Sequence, residues 1–111
     1  MPESSERGAL TEAVFYILLA VFKPLHGYGI MQFVTELSKG RVNLGAGTLY
    51  GAISTMLEKG FIKALSSMSD SRKKEYEITE LGKEIVSEEI KRLEELVADG
   101  KKIVKGNKNE I

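Results

Sequence analysis

The side chains best suited to contact a ligand lie on one predicted helix, residues 44–60, which ends at Gly60. Apolar residues recur every three or four positions along it and define a buried face. The opposite face has small and hydroxyl-bearing groups and no charge before Glu58: Ala46, Gly47, Thr48, Tyr50, Gly51 and Ser54. A helix that meets only solvent usually carries Lys and Glu there. This face therefore predicts close approach by a flat or grooved partner, and the helix N-terminus favours phosphate.

A second group with binding chemistry is the basic triplet Arg72-Lys73-Lys74. It follows a run of turn-forming residues at 67–71, which lies between two alternating segments at 61–66 and 74–79. We therefore predict a β-hairpin with a basic returning edge. Such a triplet is usually only a solvated edge, whereas close to a helix N-terminus it forms a local cationic patch.

The residue types present argue against catalysis and against a metal or cofactor site. The chain has no cysteine and one histidine, His26, so thiolate chemistry is excluded and a metal ion would lack ligands. No pair of carboxylates has the spacing of a buried acid and base. We predict no enzymatic activity, no cofactor and no metal, and a structural role for His26 at the start of a helix.

The composition predicts one small, soluble domain. The 111 residues are 42% hydrophobic and 29% charged, and 16 basic side chains balance 16 acidic ones. Because the net charge is zero, any attraction to nucleic acid has to come from a local patch. No apolar run is long enough to span a membrane, no signal-peptide pattern is present, and the lack of cysteine fits a reducing compartment. We predict a cytoplasmic protein.

Two of the predicted helices have apolar surface beyond what a small core can bury. The first, residues 10–22, is apolar on two sides, and the second side is formed by Phe15, Tyr16, Leu19 and Phe22. We expect that side to pack against a second subunit, and a central core helix in a monomer is the alternative. The last helix, residues 80–105, has a packing seam spaced four, three and four residues apart at Val86, Ile90, Leu93 and Val97.

The order of the elements, three helices followed by a hairpin and a last helix, is typical of a winged helix. We predict a mainly α fold with a small β-hairpin, namely a winged helix-turn-helix plus a C-terminal dimerisation helix. The predicted segments are a flexible N-terminal arm at 1–9, the winged helix at 10–79, the dimerisation helix at 80–105 and a disordered tail at 106–111.

Four segments in this order resemble the PadR family of transcriptional regulators. They are Leu10-Thr11-Glu12-Ala13, His26-Gly27-Tyr28-Gly29-Ile30, Gly47-Thr48-Leu49-Tyr50-Gly51-Ala52 and Arg72-Lys73-Lys74-Glu75-Tyr76-Glu77-Ile78-Thr79-Glu80-Leu81-Gly82. The resemblance covers residues 10–96 and implies a prokaryotic winged-helix DNA-binding protein, usually a repressor, of the short form with one C-terminal helix. The family often has Ser-Pro where this chain has Gly45 and Ala46. Gly at an N-cap costs only a few tenths of a kcal/mol relative to Ser, so we expect the helix to form.

The resemblance also implies a homodimer on a (pseudo)palindromic operator, which in some members is released by a small aromatic effector. We expect DNA contacts from Tyr28, Gly47, Thr48, Tyr50, Ser54, Arg72, Lys73 and Lys74. We expect the dimer interface, or an effector pocket within it, at Phe15, Tyr16, Leu19, Phe22, Ile90, Leu93 and Val97, with a closed dimer core as the preferred alternative. The alternative function is a winged helix used only for contacts with other proteins.

Overall fold

The computed structural model describes residues 8–65 and 74–110. Within these ranges the chain forms helices α1 (Glu12–Ala20), α2 (Gly27–Leu37), α3 (Ala46–Lys59) and α4 (Glu80–Glu110) and strands β1 (Leu25–His26), β2 (Ile62–Leu65) and β3 (Glu75–Ile78). The predicted fold class, mainly helical with a small sheet in winged-helix order, is confirmed. Residues 1–7 of the predicted arm, together with Arg72 and Lys73, lie outside the described residues.

The strands form one antiparallel sheet in the order β1-β3-β2. The predicted hairpin is the β2–β3 pair, in which Ile62 lies opposite Ile78. The sequence did not predict β1, which pairs Leu25 with Tyr76 on the other side of β3. Two residues are too few for a period-two pattern, and this segment is extended because β3 supplies its hydrogen-bond partners.

Helix α1 begins with a side-chain cap and ends where the chain turns into the sheet. The Thr11 hydroxyl accepts a hydrogen bond from the Val14 N–H at 3.1 Å, which satisfies one N–H of the first turn. At the other end, the Val21 carbonyl accepts a hydrogen bond from the Ile78 N–H at 2.8 Å. The end of α1 is therefore fixed directly to β3.

The link between α2 and α3 is held against the end of α2. Lys39 and Gly40 adopt φ values of 57° and 82°, the left-handed conformation that stops the helix. The Ser38 hydroxyl accepts a hydrogen bond from the Val42 N–H at 3.0 Å, and the Thr35 hydroxyl donates to the Asn43 side-chain carbonyl at 3.1 Å. These contacts fix the direction in which α3 leaves the turn.

The base of α4 is fixed to the corner between α3 and β2. Gly60 ends α3 with φ 80°, and its carbonyl accepts a 2.6 Å hydrogen bond from the Thr79 hydroxyl. The same hydroxyl accepts a 3.0 Å hydrogen bond from the Gly82 N–H and thereby caps α4. A Cβ at residue 82 would lie 2.1 Å from the Phe61 carbonyl oxygen, so only glycine allows this approach.

Helix α4 is longer than the sequence predicts. It spans 31 residues, or about 46 Å, and continues through Gly100 and Gly106 to Glu110, past the predicted end at residue 105. The prediction of a disordered tail at 106–111 is therefore not matched at 106–110. Glycine costs only about 1 kcal/mol inside a helix, so the two glycines weaken the helix without ending it.

The hydrophobic core lies among α1, α2, α3, the sheet and the first two turns of α4. Its largest fully buried side chains are Ile17, Leu18, Val21, Ile30, Val34, Leu49 and Met56. On α4, Ile85 and Val86 are buried in this cluster, and Leu81 packs against it. In the described part of the chain no helix is long and apolar enough to cross a membrane.

Candidate nucleic-acid interface

Helix α3 has one buried face and one open face. Leu49, Ile53 and Met56 are at most 2% exposed and point into the core. The side chains predicted to contact a ligand lie on the opposite face, and the structure exposes all of them: Ala46, Gly47, Thr48, Tyr50, Gly51 and Ser54. An added Cβ at Gly47 or Gly51 would meet nothing within 4 Å. The outer face of α3 therefore carries mostly small side chains over two turns. A flat or grooved partner can approach it closely.

The N-terminus of α3 leaves its first N–H groups open. Gly45 is the N-cap and makes no side-chain cap hydrogen bond, and the first turn has no acidic residue. The first helical hydrogen bond runs from the Leu49 N–H to the Gly45 carbonyl at 2.9 Å. The N–H groups at positions 46–48 come before it and point outward, which is the arrangement that binds phosphate oxygens.

Helix α2 begins in a similar way. His26 is its N-cap and makes no side-chain cap hydrogen bond to the helix. Tyr28, in the first turn, is 62% exposed, and its hydroxyl accepts a weak 3.5 Å hydrogen bond from the Gln32 side chain. The phenol is therefore free to contact a ligand at this end of the molecule.

Tyr50 lies on the open face of α3 but also reaches over the first turn of α2. A Cβ at Gly27 would lie 2.0 Å from the Tyr50 hydroxyl, so the phenol crosses the first turn of α2 where only glycine leaves room. Burial raises the pKa of the Tyr76 phenol on β3, and the nearby Tyr50 raises it further. Tyr50 is still 46% exposed. Tyr50 therefore packs over the first turn of α2 and also faces outward.

Only one residue of the basic triplet can be placed. Lys74 is exposed directly before β3, and Arg72 and Lys73 lie outside the described residues. The described strands of the hairpin carry both signs of charge. Lys63 on β2 lies opposite Glu77 on β3, with Nζ and Oε1 3.8 Å apart. The charge of Lys63 is therefore partly neutralised, and the hairpin's net positive charge depends on the triplet.

The residues predicted for a dimer interface or effector pocket fall into two separate groups. On α1, Phe15, Tyr16 and Leu19 are half-buried against the core, and Phe22 is exposed. The Tyr16 hydroxyl accepts a 3.1 Å hydrogen bond from Arg41, which also pairs with Glu12. The polar end of Tyr16 is thus engaged within its own chain.

The α4 members of that set line a groove of about 390 Å³ on the outer side of the helix. Its lining comes from α4 alone: Ile90, Leu93, Glu94, Val97, Ala98 and Lys101. Within the described residues, the α1 members of the set do not line this groove. Among the described residues no group of three or more His, Asp or Glu side chains is arranged to hold a metal ion.

The structure also shows a buried carboxylate that the sequence did not single out. The Glu89 side chain is 4% exposed and accepts hydrogen bonds from Arg92 Nε at 2.9 Å and Nη2 at 2.6 Å. The Arg92 hydrogen bonds and a further one from the Leu10 backbone N–H lower the pKa of Glu89, against the opposing effect of burial. Glu89 therefore fastens the segment before α1 onto α4.

Comparison with known proteins gives the family. The sequence model described as the transcriptional regulator PadR-like family matches residues 16–88, about two thirds of the chain. The chain belongs to the PadR-like family. Its members are transcriptional regulators rather than enzymes, and the match runs from α1 into the first turns of α4. None of the curated proteins matches the chain.

Solved structures similar to this PadR-like chain share its fold. A protein described as a transcriptional regulator from Thermoplasma acidophilum is 26% identical, with 100% of this chain and 99% of that chain covered and a TM-score of 0.64. A PadR-like transcription factor from Bacteroides fragilis is 20% identical, with coverage of 92% and 96% and a TM-score of 0.65. A regulator from Clostridium thermocellum is 20% identical, with coverage of 86% and 90% and a TM-score of 0.66.

Proposed function

We propose that this PadR-like chain is a sequence-specific DNA-binding repressor that acts in the cytoplasm and binds its operator as a homodimer. The observation that most supports DNA binding is the outer face of α3, which is exposed and uncharged over two turns while the inner face is fully buried. Repression is proposed from the family resemblance, and the homodimer from that resemblance together with the exposed apolar residues of α4.

The side chains of α3 limit how it can read DNA. Before Lys59 it has no Arg or Lys, and it has no Asn or Gln at all, so bidentate recognition of guanine or adenine is not available. Thr48, Tyr50 and Ser54 can form single hydrogen bonds with base edges or phosphates. We propose that specificity comes from these hydroxyls, from contacts with thymine methyl groups and from DNA shape.

The phosphate contacts are assigned to groups around α3. The open N-termini of α2 and α3 and the exposed Tyr28 hydroxyl can bind phosphate oxygens on one strand. Lys74, with Arg72 and Lys73 of the same triplet, supplies the cationic contacts that the zero net charge does not provide elsewhere. Gly47 contributes its backbone N–H and lets a phosphate approach closely.

The test is fluorescence anisotropy of the purified chain with tiled DNA fragments from upstream of its own gene, at low and near-physiological salt. We expect saturable binding to one fragment that persists when salt is added. Equal binding to all fragments that disappears with salt would contradict the proposal and favour the alternative of a winged helix that binds proteins. Footprinting of the positive fragment should show two half-sites separated by about one helical turn or a multiple of it.

Two neighbouring hydroxyls provide a matched control. Ser54 is exposed on the outer face of α3, whereas Thr55 lines a pocket between α3 and α1 and its hydroxyl donates to the Gly51 carbonyl at 3.3 Å. Ser54→Ala should weaken binding to the specific fragment, and Thr55→Ala should leave that affinity unchanged. Equal effects of both substitutions would mean that the outer face of α3 does not read the DNA.

A further inference from the structure

The turn between α2 and α3 is attached to α1 through the side chain of Arg41. Its guanidinium pairs with the Glu12 carboxylate through Nη1 and donates a 3.1 Å hydrogen bond from Nη2 to the Tyr16 hydroxyl. Glu12 and Tyr16 are four residues apart on α1, so they lie on the same face of that helix. Arg41 therefore bridges the turn to the first two turns of α1.

Helix α1 is firmly held in the core, so it is a fixed support for this bridge. Ile17 and Leu18 on its inner side are fully buried. The Thr11 side chain caps the start of the helix, and the Val21 carbonyl at its end accepts a hydrogen bond from the Ile78 N–H on β3. A group that is bound to α1 is therefore fixed relative to the rest of the domain.

The turn that carries Arg41 is held together by its own hydrogen bonds. The Gly40 N–H donates to the Thr35 carbonyl at 2.8 Å, and the Arg41 N–H donates to the Ser38 carbonyl at 3.1 Å. The Asn43 side-chain amide donates to the Gly40 carbonyl, also at 3.1 Å. Because these bonds join the turn into one unit, a shift of Arg41 also shifts the residues that lead into α3.

The first turn of α3 is not fixed by its own N-cap. Gly45 makes no side-chain cap hydrogen bond, and an added Cβ there would meet nothing within 4 Å in the described part of the chain. Glycine also adopts more backbone conformations than other residues. Leu44 packs against the core just before this cap. Since one attachment does not define a direction, the bridge from Arg41 to α1 supplies the second.

We propose that Arg41 is a positioning residue, which sets the direction of the first turn of α3 by holding the preceding turn on Glu12 and Tyr16. That first turn contains Gly47 and Thr48, which belong to the surface proposed to meet DNA. The inference therefore rests on the proposed DNA binding. It adds that operator affinity depends on an ion pair and a hydrogen bond that do not themselves contact DNA.

The alternative role for Arg41 is a direct contact with a DNA phosphate, since its side chain is exposed. In the structure, however, the guanidinium is already bound by Glu12, whose hydrogen bond and charge raise the pKa of Arg41. A phosphate at this point would have to displace the carboxylate or lie beside its negative charge. The contacts of Arg41 within its own chain therefore favour the positioning role.

The two roles predict opposite effects of Glu12→Gln on operator affinity, measured by anisotropy. If Arg41 positions α3, loss of the carboxylate weakens the bridge, and affinity should fall about two- to tenfold, given the modest strength of an exposed ion pair and two copies per dimer. If Arg41 contacts phosphate, the same change removes a competing negative charge, and affinity should rise. Glu36→Gln, which removes an exposed carboxylate from α2, is the control and should not lower affinity. Unchanged or higher affinity of Glu12→Gln would overturn the inference.

Reversal of the ion pair provides a second test. Arg41→Glu and Glu12→Arg each place like charges together, so each should lower the ratio of operator affinity to affinity for unrelated DNA. The double variant restores opposite charges, and the Tyr16 hydroxyl can donate to the carboxylate at position 41, so most of that ratio should return. An arginine that contacts phosphate is not rescued in this way, because the double variant keeps a negative charge at position 41. Additive losses in the double variant would contradict the positioning role.

A readout without DNA separates this inference from the proposed function. In Glu12→Gln the NMR chemical shifts of the Gly45 and Gly47 amides, at the start of α3, should change, whereas those of Glu58 and Lys59 at its far end should not. No change at the start of α3 would overturn the inference, while DNA binding stands if the wild-type chain binds its operator. A wild-type chain without specific DNA binding would overturn both.

Discussion

At the scale of single residues, Gly51 separates the stability of α3 from its proposed role in DNA binding. It lies in the middle of the helix, is exposed, and has open space where a Cβ would be. Gly51→Ala should raise the free energy of unfolding by about 0.5–1 kcal/mol, since alanine loses less backbone entropy in a helix. The same methyl group stands on the face that is proposed to meet DNA, so operator affinity should fall severalfold. Urea unfolding and anisotropy measure the two effects.

The control for Gly51 is Gly106→Ala, because Gly106 is also an exposed helical glycine with open space around its Cα. That change should leave operator affinity as it is. If Gly51→Ala bound the operator as tightly as the wild-type chain, the outer face of α3 would have to be removed from the proposed contact surface.

Tyr50 and Gly27 form a second residue-scale test. A methyl group at Gly27 would overlap the Tyr50 hydroxyl, so Gly27→Ala should destabilise the fold by about 1–3 kcal/mol. In a Tyr50→Ala background the obstacle is gone, and the same change should cost much less. A double-mutant cycle by urea unfolding measures the coupling. Additive effects would mean that the phenol can move away from α2 without cost.

The sequence identified the exposed face of α3 but not the inner contacts of Tyr50. Helical spacing indicates on which face of a helix a residue lies, and it assigns Gly47, Thr48, Tyr50 and Ser54 to the outer face of α3. It does not indicate which neighbouring element the tip of a long side chain contacts. The packing of the phenol over Gly27 depends on how α2 and α3 cross, which is a tertiary property.

At the scale of elements, the Glu89–Arg92 pair joins the segment before α1 to α4, and it should give stability a defined pH dependence. The folded pKa of Glu89 is lowered from its ordinary value of 4.5, first by Arg92 and then by the Leu10 N–H. In acid the unfolded chain therefore binds more protons. The stabilisation is complete above about pH 4.5 and is lost as the pH falls through the folded pKa.

The corresponding variant is Glu89→Gln. It should cost about 1 kcal/mol near neutral pH, since the charge-assisted hydrogen bonds are weakened. It should also lose less stability than the wild-type chain between about pH 6 and about pH 3. Chemical denaturation across that range is the measurement, with the exposed Glu95→Gln as control. Parallel pH curves for Glu89→Gln and the wild-type chain would contradict the assignment.

The sequence predicts the long helices but neither the short strand β1 nor the full length of α4, and each difference has a physical cause. Long periodic segments such as α3 and α4 were found because burial of one face imposes a period on the sequence. Strand β1 has two residues and is extended only because β3 lies beside it. Helix α4 continues to Glu110, five residues past the predicted end, because the glycines at 100 and 106 lower helix stability without ending the helix. Glu89 drew no attention because its burial depends on residues 8–10 folding back over α4.

At the scale of the whole molecule, electrostatic attraction to DNA should depend on a few cations, because the net charge is zero. Lys74→Ala and Arg72→Ala should each weaken binding to all DNA sequences and reduce the slope of log K against log salt by about one unit. Anisotropy titrations over a range of salt concentrations give the slope. Lys83→Ala, whose side chain lies 3.5 Å from Glu80 on α4, is the control. An unchanged slope would remove the hairpin from the contact list.

The way α4 starts has a geometric consequence for a dimer. Thr79 and Gly82 fix the first turn of α4 to the end of α3. Helix α4 is about 46 Å long, so a rotation of α4 also moves the attached α3. Turning such a lever by about 10° moves its far end by about 8 Å, more than the 3.4 Å rise of one base pair. In the proposed homodimer, the crossing angle of the two α4 helices sets the distance between the two α3 helices. Operators whose half-sites differ by one base pair in spacing should bind with measurably different affinity.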